Sequence, residues 1–311
     1  MIDTHTETTL PDRLRAHAHR IVIGTVQGVH RLDGSAPRPH GHVTAIAPDG
    51  DDLLVLVDGR RVWRIDGTGA APVATLDGAS AGCLVAHRGD VWLGGERATL
   101  WRQRGTGFET VSTFASAPTS EDWHTPWGGA AATFSLASAS DALYVNVHVG
   151  GILRSDDGGH TWHATIDLAD DVHQVCAHPD GRVWAATGAR GLGLSDDRGR
   201  TWRHHVDGLH STYLLAVAPT RDGVLVAASS GHAGRDSAVH RLDGERFVRC
   251  TDGLPDDLGG TVGTGHLAAD GDVAVLAAPD DRIYVSADGG RSWDRVAIDL
   301  PRATSVAVLP D

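Results

Sequence analysis

The sequence predicts an all-β fold, a seven-bladed β-propeller of four-stranded antiparallel blades closed by pairing its two ends. Three observations carry that expectation. A short apolar-plus-turn signature recurs seven times, its period matches one four-stranded blade, and the chain ends supply complementary strands of a single blade.

The signature reads VHRLDG at 29–34, VWRIDG at 62–67, LWRQRG at 100–105 and ILRSDDGG at 152–159. It continues as LGLSDDRG at 192–199, VHRLDG at 239–244 and IYVSADGG at 283–290. Neighbouring copies begin 33 to 52 residues apart, scattered around the roughly 40–45-residue period of a blade. Before each copy lies a β-branched run that reads as a strand, such as LLVLV (53–57), VWLGG (91–95) and LYVNV (143–147). A further short strand precedes that run and ends in a turn such as APDG (47–50) or HPDG (178–181). The order within a blade is therefore a, b, c, d, with the signature on strand c.

The ends complete the ring. ATSVAVLP (303–310) reads as a strand a and IVIGTV (21–26) as a strand b, so pairing them finishes blade one and removes two sheet edges. Pro37 and Pro39 argue against a regular strand d in that blade, because proline cannot donate to a ladder. The chain divides into a polar N-terminal extension, 1–20, and one propeller, 21–311.

Three signatures extend into SDDGGHTW (155–162), SDDRGRTW (195–202) and SADGGRSW (286–293). In each, Asp157, Asp197 or Asp288 can accept backbone N–H groups across the turn. Gly159, Gly199 and Gly290 tolerate a left-handed backbone, and Trp162, Trp202 and Trp293 can pack between blades. The pattern resembles the Asp-box, or BNR, repeat of sialidase-like propellers, the sortilin ectodomain and photosystem II assembly-factor-like proteins. That resemblance implies a structural clasp joining strands c and d, on the face away from the usual active site. It does not extend to sialidase catalysis. The Phe-Arg-Ile-Pro motif is absent, Glu occurs only at 7, 96, 109, 121 and 245, and Tyr144 and Tyr284 fall inside strands. Sialidases also have six blades.

Composition narrows the partners. Forty acidic residues against twenty-seven basic ones, all Arg, give a net charge of −13. Nucleic acid and anionic membranes both require a basic face, so neither is expected. Residues 1–20 carry no apolar core of a secretory signal, and a cytoplasmic protein is expected. Cys83, Cys176 and Cys250 each lie in a strand-like apolar stretch and read as buried free thiols.

The functional signal lies in what the repeat leaves over. Two connections carry extra residues: ASAPTSEDWHTPWGG (115–129) between strands d and a, and SSGHAGRDSA (229–238) between strands b and c. Both connection types emerge on one face, around the central channel, and long loops on a rigid frame commonly carry function. Trp123 and Trp127 lie in the first addition, where they either line a pocket or pin the loop. Of nineteen His, eight map to this face or its approaches: His40, His42, His124, His148, His173, His210, His232 and His266. Aligning APDG with HPDG places His42 and His173 equivalently before strand a of blades two and five, with Tyr213 in blade six.

Imidazole is the commonest transition-metal ligand in proteins. The expectation is a metal-dependent enzyme, an oxidoreductase ahead of a hydrolase or lyase, acting on a small molecule at the channel mouth. Its metal, iron or copper ahead of zinc, would be held by His42, His124, His148 and His173, with no organic cofactor. Tyr213, Arg190 and Arg235 would serve the chemistry, the arginines gripping an anionic group. Trp123, Trp127, His232 and His266 would shape the substrate pocket. The alternative is a non-catalytic Asp-box propeller that binds a protein or glycan partner.

Overall fold

The computed structural model describes residues 10–35 and 39–311; His5 and Pro37 lie outside them. Seven antiparallel sheets follow one another around a ring. Blades two to seven each have four strands in chain order, beginning with strands a at Val43–Asp49, Ala81–His87, Thr133–Ala139, Val172–Ala177, Leu214–Pro219 and Leu267–Asp270. Blade one has three strands among the described residues: Ala303–Val308, Ile21–Thr25 and Gly28–Arg31. Ile21 pairs with Val308 and Ile23 with Val306, so the last strand closes the ring on the first. No helix of the described residues is long and apolar enough to cross a membrane.

Every strand b is buried along most of its length, as in Asp52–Val57 and Ala142–Val147. A blade packs on both faces against its neighbours, so these strands are continuous apolar runs instead of alternating ones. The polar-looking extension also contributes apolar contacts. Leu10, Leu14 and Ala18 are buried against Val285 and Val306 of blades seven and one, and buried Arg20 donates to the Leu309 carbonyl at 2.8 Å.

Three turns between strands c and d share one hydrogen-bond scheme. In the first, the Gly159 N–H donates to Ser155 Oγ at 2.8 Å, and the N–H groups of His160 and Thr161 donate to Asp157 Oδ1 at 3.0 and 2.9 Å. The same pattern recurs around Asp197 and Asp288. Each clasp sits on the preceding blade. A Cβ on Gly159 would meet Trp92, one on Gly199 would meet Tyr144, and one on Gly290 would meet Leu225.

Strand a carries a repeated irregularity that matters for function. Its pairing with strand b slips by one residue near its N-terminal end in blades two to six, and the equivalent slip occurs in blade one. The residues left out of register are Thr304, Thr44, Gly82, Phe134, His173 and Leu215, in blade order. Such bulges bend the strand and re-aim a side chain, here at the channel mouth.

The connection at 229–238 differs from the expected long loop. Strand b of blade six runs to Ser230 and strand c starts at Arg235. Left-handed Gly231 and Gly234 (φ 75° and 64°) turn the chain tightly, so the extra residues lengthen the hairpin. A connection not singled out in the sequence, 250–266 between blades six and seven, instead reaches toward the axis. Its Thr264 hydroxyl donates to the His173 carbonyl at 3.0 Å.

Candidate functional site at the channel mouth

Blade five supplies the centre of the site. The 3₁₀ turn Leu168–Asp170 ends in Asp171, held left-handed at φ 52° immediately before strand a. His173 follows at the bulge. Strand b of the adjoining blade four exits into His148, whose N–H donates to the Ala132 carbonyl at 2.9 Å. The next residue, Val149, is left-handed at φ 44°, an uncommon conformation for a β-branched side chain that holds the exit geometry. Two bonds lock the blades together here: Asn146 Nδ2 to the Val172 carbonyl at 2.8 Å, and the Val175 N–H to Ser135 Oγ at 2.9 Å.

The result is a compact, buried trio. One ligand-capable atom from each of His148, Asp171 and His173 lies within 4.8 Å of the other two. His148 Nε2 stands 3.1 Å from Asp171 Oδ1, and His173 Nε2 stands 3.7 Å from Asp171 Oδ2. Both imidazoles are 4% exposed, which removes water as an easy partner. His148 Nδ1 and Asp171 Oδ1 are buried without an aligned hydrogen bond. The adjacent His148 imidazole holds the Asp171 carboxyl below the usual carboxylate range against the opposing effect of burial.

His173 fixes the chemistry of the trio. Its Nδ1 lies 2.6 Å from the Leu214 carbonyl, an acceptor only, so Nδ1 carries the proton. Burial pushes the ring's pKa down, opposed by that bond and by Asp171, and so favours the neutral ring. A neutral ring then presents its Nε2 lone pair toward a carboxylate. That arrangement calls for positive charge between them, a proton or a metal ion. A ring N–H donated to a backbone carbonyl, as from His173 Nδ1, is also the usual outer support of a metal-ligating histidine.

Aromatic groups surround the trio. Tyr213 packs edge-on against His173 with ring centroids 5.0 Å apart, and burial together with the Asp171 charge pushes its phenol pKa up, keeping it protonated. Phe134, the bulge residue of blade four, stacks on His148 at 4.5 Å, and Trp127 approaches the same ring at 5.8 Å.

The other expected residues lie elsewhere. His42 is exposed on blade two and shares a cavity of about 410 Å³ with His266, Arg302 and Thr304. His124 is exposed, its Nδ1 2.9 Å from the Asp122 carbonyl, and neither residue belongs to the trio. Arg190 pairs with fully buried Asp170 at 3.2 Å, beside His204 at 2.8 Å, so it anchors the turn that presents Asp171. His232 and Arg235 are exposed on the blade-six hairpin. Trp123 and Trp127 divide the two roles foreseen for them. Trp123 packs on Phe114 at 5.2 Å and donates to Thr119 Oγ1 at 3.2 Å, pinning the loop, whereas Trp127 stands at the site.

Asp171 was missed in the sequence for a definable reason. The Asp-Gly turn falls two residues further from the start of strand a in blade five than in blade two: Asp49 follows Val43 by six residues, whereas Asp180 follows Val172 by eight. Alignment through the turns is therefore offset by two. By strand pairing, His42 is equivalent to Asp171 and to Tyr213, while His173 is equivalent to Thr44.

No protein-family model matches the sequence, and no curated protein matches it. Solved structures do resemble the fold. A structure of YCF48 bound to a D1 peptide aligns with a TM-score of 0.54 at 18% identity, covering 81% of this chain and 82% of that one. The GH74 xyloglucanase from Xanthomonas campestris aligns at 0.60 and 17% identity, covering 88% of this chain and 46% of the enzyme, so this chain spans about half of it. The computationally designed Ika8 protein aligns at 0.61 and 15% identity over 93% of this chain and 86% of its own. Likeness at these identities is likeness of fold, and this chain has the fold of a seven-bladed β-propeller.

Proposed function

We propose that this propeller is a metal-dependent oxidoreductase that binds one transition-metal ion through His148, Asp171 and His173 and acts on a small molecule at the channel mouth. The observation that carries the reading is the convergence of two buried imidazoles on one carboxylate, with the His173 lone pair aimed at Asp171. Two histidines and one carboxylate leave coordination positions open, a donor set suited to iron(II) and oxygen chemistry. The carboxylate favours iron over copper relative to an all-histidine set. Tyr213, protonated and in contact with His173, would donate a hydrogen bond to bound substrate.

The three Ser-Asp-Gly clasps support a further reading, that these turns are Asp-box repeats with a structural role. Their carboxylates are consumed by turn N–H groups on the far side of the blades from the site.

Metal content decides the function. Protein expressed without an affinity tag and reconstituted anaerobically with iron(II) should hold about one equivalent, and oxygen uptake should follow when a substrate is supplied. Protein that stays empty with iron, copper and zinc would overturn the metal reading and favour a non-catalytic propeller with a protein or glycan partner.

A further inference from the structure

Among the described residues four large apolar side chains are exposed: Trp127, Phe134, Val206 and Val248. Val248 lies on an outer strand d and Val206 just past another. The two aromatic ones meet on a single imidazole. Phe134 lies nearly parallel to His148, tilted by 22°, and Trp127 stands edge-on to it at 66°.

Trp127 is 78% exposed, yet its backbone is firmly built. The Gly128 N–H donates to the Thr125 carbonyl at 2.8 Å, the Thr125 N–H to the Gly129 carbonyl at 2.9 Å, and the Gly129 N–H to the buried Thr125 hydroxyl at 2.6 Å. A turn this well bonded holds the indole out at the mouth instead of letting it fold onto the surface. Its ring N–H donates to no protein group among the described residues. An uncovered indole that shares an imidazole neighbour with a second exposed ring offers a stacking platform.

We infer that the site takes a substrate bearing a flat, uncharged aromatic ring with a hydroxyl group, a phenol in chemical class. The ring would lie against Trp127 and Phe134, and its hydroxyl would point at His148, Asp171 and His173. The orientation of the hydroxyl rests on the metal reading, whereas the ring site rests on the aromatic geometry alone. Charge argues against an anionic ring. Among the described residues Asp171 has no arginine partner, the neighbouring Arg190 is held by Asp170, and Glu121 and Asp122 lie within the insertion. A bound metal would in turn repel a cationic ring.

The test uses the whole protein, with phenol and cyclohexanol as probes and saturation-transfer NMR as the readout, before and after iron reconstitution. Phenol should bind the metal-free protein, with cyclohexanol and the Trp127→Ala variant each about tenfold weaker, the scale of one lost aromatic contact. Equal phenol binding by wild type and Trp127→Ala, or equal binding of phenol and cyclohexanol, overturns the inference. Trp127-dependent phenol binding in a protein that takes no metal upholds the ring site and defeats the metal reading. Iron uptake without Trp127-dependent phenol binding defeats this inference alone.

Discussion

Gly188 lies directly against the Asp171 carboxylate. Its N–H donates to the Asp171 carbonyl at 2.8 Å, and a Cβ on it would stand 2.5 Å from Asp171 Oδ2 and 2.9 Å from His173 Cε1. It occupies the exit of strand b in blade five, the position filled by His148 in blade four and Ser229 in blade six. Gly188 is not left-handed, so alanine is tolerated by the backbone but not by the site. Gly188→Ala should displace the carboxylate and weaken iron binding about tenfold or more, the scale of lost support around a metal. Unchanged iron affinity by competition with a chelator would refute this.

The two histidines paired by the turn alignment separate cleanly by location. His173→Ala should abolish stoichiometric iron binding, and His42→Ala should leave it intact, because His42 is exposed in a different cavity. Metal analysis of the two purified variants checks the contrast. Equal loss in both would place the metal elsewhere.

The two loop tryptophans should differ in stability. Trp123 covers Phe114 and bonds Thr119, so Trp123→Ala should destabilise by about 2 kcal/mol, less than a fully buried Trp truncation. Trp127→Ala should stay within about 0.5 kcal/mol, as expected for an exposed side chain. Urea unfolding monitored by circular dichroism measures both.

His240 supplies a pH dependence independent of the site. It is 1% exposed, stacked on His210 at 4.9 Å, and burial pushes its pKa down to about 4. The unfolded chain binds a proton near the ordinary value of about 6.5, before the folded one does. Stability should therefore fall as pH drops from about 6.5 toward 4, and His240→Phe should flatten that slope. The same slope in both proteins would count against it.

The clasps act at lower pH. The Thr201 N–H and hydroxyl hold the Asp197 carboxyl well below its usual range, with Ser195 and Arg200 assisting. A lowered carboxylate pKa contributes stability above the unfolded value of about 3.9, lost as pH falls through the folded value. Asp197→Asn should be less stable than wild type at neutral pH, and the gap should narrow in strong acid. A gap independent of pH would mean that the charge is not what the turn uses.

Local chemistry made much of this molecule readable from sequence. Apolar b strands, turn residues at a blade-length period and complementary ends required seven blades and a closed ring, because each rule acts over a few residues. The Ser-Asp-Gly clasps were legible for the same reason, as were His148 and His173 as mouth-facing imidazoles. What tertiary structure alone decided was which groups meet. A turn that falls two residues later in blade five left Asp171, not His173, in register with His42, and a bulge on strand a aimed His173 and Phe134 at the mouth. Arg190 was taken up by Asp170 across a turn, and Thr264 arrived from a distant blade. Those outcomes depend on strand register and on contacts between blades, and neither is written in any short stretch of chain.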